Sequence, residues 1–330
     1  MQSKLDKFFK VTPNKSSTSK KCFIYNPLSR SAFFTTSSNI SDNDAFICSK
    51  SGLKLYYRKF STPPNSYDIP NIQTTFNFPP LLKSNLQKAV RRKNTDSAIL
   101  STLILLDKDT TALLRRLPII YIEDVCLLDS FPIIVWFMIA DKDYKLTSYD
   151  IDIILNIIWN LCNIDQYYDD TIIKCNRELT HELVETFDHH DCLLAIYYRM
   201  LYGGMKCDMT MLSNSIEFYN KEPNKIIKTT FNNIDYERIS NLKFQIIPES
   251  IDFHVYPYML DKIRTQIISE TDYNITSDEI KYLIWFNESG INIRKPSTIE
   301  SFNYYSKKPE WNCVKKYLDM FRNTIIYFSK

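Results

Sequence analysis

The sequence predicts a mainly α-helical fold, a helical bundle or collar-like body with a small β-containing region near the N-terminus. Three observations carry that expectation. From residue 81 onward, apolar residues recur at helical spacing between recognisable caps. Between residues 22 and 60 they fall instead into short β-rich runs separated by turn residues. Only four of the 330 residues are glycine, and no G-x-x-x-x-G-K-S/T or G-x-G-x-x-G loop is present. Phosphate-cradling loops need glycines at those spacings, so a Walker-type ATPase, a dinucleotide-binding enzyme and a protein kinase are not expected. G-x-S-x-G and H-E-x-x-H are missing as well.

The first element is Met1-Gln2-Ser3-Lys4-Leu5-Asp6-Lys7-Phe8-Phe9-Lys10, which reads Gln-x-x-Leu-x-x-Phe-Phe. One tight helical turn after Gln2 would set Leu5, Phe8 and Phe9 at i, i+3 and i+4, three side chains forming a single apolar plug. Gln2 then offers an amide donor and acceptor to a partner's backbone. The alternative is a plug docked on this protein's own core. Residues 11–21 are polar and rich in breakers, which suits a flexible tether better. The pattern resembles the PIP box, the peptide by which many replication and repair proteins bind the sliding clamp PCNA. That resemblance implies PCNA or a viral sliding clamp as partner, Gln2, Leu5, Phe8 and Phe9 as its contacts, and a setting in DNA replication or repair.

Residues 22–60 predict a small β-hairpin region. Cys22-Phe23-Ile24-Tyr25 and Ser31-Ala32-Phe33-Phe34-Thr35 flank a turn at Asn26-Pro27-Leu28-Ser29, and 45–48 and 53–60 form a second pair around Gly52. The region is either an independent module or an arm packed on the main domain. Residues 61–80, with five prolines, predict an extended linker. A mainly α-helical domain over 81–330 follows. Its expected helices are 81–93, 95–107 after an Asn94 or Thr95 cap, 110–117, and 119–128 opened by Pro118. Then come 133–141, 150–162 capped by Ser148, 177–187, 191–202 stopped by Gly203-Gly204, 209–219 and 257–270. Another begins at Thr276 or Ser277 with Glu279 and ends at Gly290, and a long amphipathic helix over 309–328 closes the chain.

Leu86-Gln87-Lys88-Ala89-Val90-Arg91-Arg92-Lys93, followed by Arg115-Arg116-Leu117-Pro118-Ile119-Ile120-Tyr121-Ile122-Glu123-Asp124-Val125, is a distinctive pair of segments. Together, over about residues 81–130, they resemble the C-terminal helical module of replication-fork AAA+ ATPases of the MgsA/RarA and Werner-helicase-interacting type. The chain lacks that family's ATPase core. The resemblance therefore implies a shared helical scaffold, oligomerisation through collar-like helices and a replication-fork setting, without ATP hydrolysis. On the residues alone, Lys88, Arg91, Arg92, Lys93, Arg115 and Arg116 are candidate DNA-phosphate contacts. The competing reading has Arg115 or Arg116 pairing with Glu123 or Asp124 on the next helix, with 88–93 complementing its own helix C-terminus.

Other candidate chemistry is weaker. His181, Glu185 and His189 share a face at i, i+4 and i+8 if that stretch is helical, a candidate metal site set against a plain solvated helix face. Asp141, Asp143, Asp169 and Asp170, with Glu123 and Asp124, could supply a two-metal nuclease, although most sit where helix caps are expected. Tyr56-Tyr57-Arg58-Lys59, Tyr197-Tyr198-Arg199 and Tyr304-Tyr305 with Lys307-Lys308 interleave rings and bases, as single-stranded nucleic-acid binders do. Snorkelled aromatic packing is the alternative, and Tyr56–Lys59 is the stretch retained.

Net charge is +3, so any nucleic-acid binding must come from local patches. Eight scattered cysteines without a C-x-x-C pair are expected to be reduced, in an intracellular protein. No run is apolar and long enough to span a membrane, and no secretory signal is evident. These observations together point to a non-enzymatic clamp-binding accessory factor with no cofactor, with DNA a candidate partner, working in the nucleus or in a cytoplasmic viral replication factory. The alternatives are a PCNA-tethered, metal-dependent nuclease, and a helical interaction protein whose N-terminal motif is coincidental.

Overall fold

The computed structural model describes residues 21–47, 53–59, 67–72, 74, 78–169, 173–251, 258–271 and 273–328. The PIP-like peptide and nearly all of the tether lie outside them, as does much of the Pro-rich linker. The four strands β1 (Lys21–Asn26), β2 (Ser31–Thr36), β3 (Asp44–Ile47) and β4 (Lys54–Arg58) form one sheet in the order β2-β1-β4-β3. Both expected hairpins are present, with Ile24 opposite Phe33 and Ala45 opposite Tyr57. A parallel pairing of β1 with β4, Phe23 beside Leu55, joins them into a single sheet.

The sheet is an arm of the main body. Phe23, Tyr25 and Leu55 are fully buried in the same core as the helices. Helix α4 (Phe131–Ala140) lies against β1 and β2. Its Trp136 indole donates to the Phe23 carbonyl at 3.1 Å. The Tyr25 hydroxyl donates to Asp150 at 2.6 Å.

The helical part opens with α1 (Pro79–Arg91), whose two leading prolines occupy positions where the missing N–H groups are not needed. Next come α2 (Thr95–Lys108), with Asn94 accepting from the Ser97 amide, and α3 (Thr110–Asp124). Here the structure corrects the sequence expectation. Pro118 sits inside one continuous α3 and does not open a new helix. Leu113, Leu114, Leu117, Ile119, Ile120 and Ile122 are all buried, so burial on both sides of Pro118 outweighs the lost backbone bond. Helix α5 (Ser148–Asn163) is capped one residue earlier than expected, by a Thr147–Asp150 capping box.

The expected helix over 177–187 shrinks to α6 (His181–Glu185). Then α7 (His190–Leu201), α8 (Lys206–Lys221) and the short α9 (Tyr236–Ser240) complete the main body.

A second, smaller core gathers α10 (Tyr258–Glu270), α11 (Ser277–Ile284) and α13 (Pro309–Phe328) around Ile263, Ile280, Val314 and Leu318. The Thr276–Glu279 capping box opens α11 as expected. That helix runs into a π-helical turn, Trp285–Ser289, which ends at Gly290. A Cβ on Gly290 would lie 2.7 Å from the Trp285 ring, so only glycine allows this close approach. Helix α12 (Pro296–Tyr305) was not expected from the sequence. No helix among the described residues is long and apolar enough to cross a membrane.

Candidate functional site

The residues of the second resemblance meet in one buried polar cluster. Helical spacing puts Gln87 and Arg91 one turn apart on α1, facing the C-terminal end of α3. The Arg91 guanidinium donates to Asp124, to Glu123 at 2.7 Å and to the Ser289 carbonyl at 3.0 Å. Gln87 donates to Glu123 at 2.9 Å and to Asp124 at 2.7 Å, and accepts from Arg116. Burial opposes ionisation of Glu123, but Arg91 and Arg116 outweigh it and hold the carboxyl below its ordinary range. Burial pushes the Asp124 carboxyl upward, against the pull of Arg91 and with the neighbouring Glu123 charge adding to the rise.

The cluster continues into the C-terminal segment. Arg92 donates to the Glu288 carbonyl at 2.8 Å and lies 3.7 Å from Glu249. Asn292 donates to the Asp124 carbonyl at 2.8 Å. Arg294 donates to the carbonyls of Val90, Leu161, Cys162 and Ile164 at 2.6–3.0 Å, the last turns of α1 and α5. Helix ends leave such carbonyls without intrahelical partners. Chemically the cluster is a clasp: its charges face opposite charges or carbonyls, and it locks α1, α3, the end of α5 and residues 288–294 together. Arg294 and Asn292 escaped the sequence reading because nothing periodic marks a loop arginine that reaches back across the chain.

The basic residues proposed for DNA therefore divide. Lys88 and Arg91 are buried, and Arg91 is held by the two carboxylates. Arg92 is largely covered, and burial lowers its pKa. Lys93 is paired with Asp165. Arg116 lies 3.7 Å from Glu123, but on the same helix, so the expected helical hairpin pinned by Arg115 or Arg116 gives way to an α1–α3 clasp built on Arg91. Arg115 is exposed and sits over the Tyr202 ring at 5.9 Å. Among the six, Arg115 is the residue most open to solvent.

The aromatic–basic stretches mostly pack. Tyr57 lies edge-on to Tyr144 at 5.2 Å, and Arg58 pairs with Asp44 at 3.3 Å. Tyr198 stacks on Phe34, while the buried Arg199 donates to the carbonyls of Gly203 and Arg115.

His181, Glu185 and His189 do not form a common face. His189 has left the helix, with a φ of 53° that turns the chain into α7. Thr186, Asp188 and the adjacent histidines are weak helix formers, and histidine is among the non-glycine residues enriched in the left-handed region. His181 Nε2 lies 3.7 Å from Glu185, while Lys21 binds Glu185 at 2.7 Å and the Tyr198 hydroxyl meets His181 Nδ1 at 3.0 Å. Among the described residues no three His, Cys, Asp or Glu side chains converge as metal ligands. Of the nuclease carboxylates, Glu123 and Asp124 belong to the clasp. Asp141 and Asp169 line separate clefts, and Asp170 lies outside the described residues. No two cysteines pair among the described residues.

Burial, reinforced by the Lys21 charge, lowers the His181 pKa. The unfolded chain then takes up a proton more readily than the folded one as pH falls through the ordinary imidazole range near about 6.5. His181 thus stabilises fully above that range and loses its contribution below it. A His181→Asn variant should show a smaller drop in urea midpoint between pH 7.5 and pH 5.5 than the parent. Identical drops would remove His181 from the pH response.

Comparison with known proteins returned no counterpart: no protein-family model, no curated protein and no solved structure matches this chain.

Proposed function

We propose that this chain is a sliding-clamp client, an accessory factor of DNA replication or repair that carries its helical body to PCNA or a viral clamp. The observation that supports the reading is Gln2-x-x-Leu5-x-x-Phe8-Phe9, followed by a polar, breaker-rich stretch. The first strand of the body begins at Lys21, so residues 10–20 separate the motif from it in sequence. In such a peptide Phe8 and Phe9 anchor an apolar pocket and Gln2 bonds to backbone, a division of labour typical of helical peptides in grooves. The body contributes a rigid scaffold, with Arg115 the exposed base among the six candidates and the nucleus or a viral replication factory as its place of work.

Calorimetry of the full-length protein with PCNA tests this. A dissociation constant in the micromolar range or tighter is expected. Phe8→Ala/Phe9→Ala should weaken it by about a hundredfold or more, as loss of two buried aromatic anchors does. Equal binding by parent and double variant, or none by either, would sink the clamp reading. Metal-dependent cleavage of a DNA panel would shift it to a clamp-tethered nuclease.

A further inference from the structure

Helix α7 ends on an apolar patch that the described residues leave uncovered. Leu201, Tyr202 and Met205 follow one another closely and are 48%, 41% and 59% exposed. Single exposed apolar side chains are ordinary, but three together at a helix end form a patch that suits a contact. Arg115 flanks it, over the Tyr202 ring.

A line of contacts leads from the start of the body to this patch. Strand β1 begins at Lys21, whose ammonium binds Glu185 at 2.7 Å and lies 3.9 Å from Glu182. The Glu182 side chain is 76% exposed, so its charge is open to a further cation. On the same short helix His181 meets the Tyr198 hydroxyl at 3.0 Å, and Tyr202 follows Tyr198 by one helical turn. The surface therefore runs from Lys21, past the carboxylates of α6, to the patch, a distance on the order of 20 Å.

We infer that this strip is the docking surface of the chain's own N-terminal segment, with Leu5, Phe8 and Phe9 on the apolar patch and Lys15 and Lys20 beside Glu182 and Glu185. Reach is the first argument for that occupant. Residues 10–20 separate the plug from Lys21. A chain of that length spans at most about 38 Å and as a coil averages about 18 Å, which matches the strip and holds the plug near it at about millimolar effective concentration. Charge is the second. The first twenty residues carry Lys4, Lys7, Lys10, Lys15 and Lys20 against a single acid, Asp6. Order is the third. Reading back from Lys21, the bases Lys20 and Lys15 come before Phe9, Phe8 and Leu5, as the carboxylates come before the patch along the surface. In a helical turn Lys4 and Lys7 fall off the apolar side, away from Arg115, while Asp6 flanks the plug as Arg115 flanks Tyr202. The plug is the same one the clamp would take, so docking is an autoinhibitory contact that a clamp must displace. Only this competition rests on the clamp reading.

Photo-crosslinking of the full-length protein without clamp tests the docking. p-Benzoyl-phenylalanine is incorporated in place of Phe8, the protein is irradiated at low micromolar concentration, and tryptic peptides are mapped by mass spectrometry. The main adduct should fall within one chain on residues 200–206, the tryptic peptide that holds Leu201, Tyr202 and Met205. Leu201→Gln/Tyr202→Gln should lower its yield by about fivefold with the urea midpoint nearly unchanged, since both positions are exposed. Glu182→Lys, away from the patch, should lower it by about threefold through charge alone. Adducts scattered over other surfaces, or yields unchanged in both variants, overturn the proposal. Adducts that join two chains also overturn it and make the patch a contact between copies. Against PCNA, Leu201→Gln/Tyr202→Gln should bind about threefold more tightly than the parent, because no closed state competes. Absence of clamp binding by every form would sink the clamp reading and leave the crosslinks to decide the docking.

Discussion

Arg91→Met should destabilise the protein by about 3–5 kcal/mol, read as a shift in urea midpoint at pH 8. The guanidinium of Arg91 is 4% exposed as a residue and bonds Asp124, Glu123 and the Ser289 carbonyl together. Its removal leaves the buried Asp124 beside the half-buried Glu123, with Gln87 as their nearest remaining donor and Arg116 3.7 Å from Glu123. The sign of the pH response follows. Without Arg91 the Glu123 carboxyl loses its strongest counter-charge and the already raised Asp124 rises further, so both folded pKa values move up. The folded variant then binds more protons, and its deficit should shrink as pH falls from 8 to 5. Adding Asp124→Asn to Arg91→Met should recover part of the loss, since it removes one unpaired buried charge. A loss below about 1 kcal/mol in the single variant would show the clasp to be solvated and replaceable.

Trp136→Ala should cost a comparable amount, about 3–5 kcal/mol. The indole is fully buried, donates to the Phe23 carbonyl, and has the rings of Tyr25 and Tyr144 at 5.2 and 5.1 Å. Its neighbours come from β1, α4 and the segment before α5, so the cavity would open between the sheet and the helices. The more telling readout is cooperativity. Because sheet and main helices share one core, near- and far-ultraviolet signals of the variant should still melt together. A separate early transition for the sheet would make it the independent module that the sequence left open.

Much of the helical part was legible because local chemistry and burial agree there. Asn94 caps α2, Thr276 and Glu279 build their box, and the long final helix shows its stripe plainly. Where they disagree, local signals misled. Pro118 looks like a helix start, and only the burial of residues on both sides of it keeps α3 whole. His181 to Asp191 has the spacing of a helical metal face, and a left-handed His189 breaks it. The clasp shows a subtler limit. The sequence singled out Glu123 and Asp124 and the arginines around them, but which arginine reaches them is a matter of how α1 crosses α3. The parallel β1–β4 pairing and the return of Arg294 are likewise long-range facts with no local mark. The N-terminal motif is the opposite case, since the proposal built on it rests on a local pattern alone.

The position of Arg294 bears on how the protein is made. Ribosomes deliver the N-terminal part first, and domains begin to fold as they emerge. Helices α1 and α5 can form early, and the Val90 carbonyl has a local donor in the Lys93 amide, yet the Arg294 guanidinium that also holds Val90 and the carbonyls of Leu161, Cys162 and Ile164 comes only when residue 294 arrives. At about 5–20 residues per second, that is roughly 10–40 s after α1 has been synthesised. During this interval the nascent chain lacks the Arg294 bridge between the ends of α1 and α5 and has an incomplete Arg91 cluster, because Ser289 is also still to come. The body therefore reaches its final form in a late step, set by translation of its closing segment.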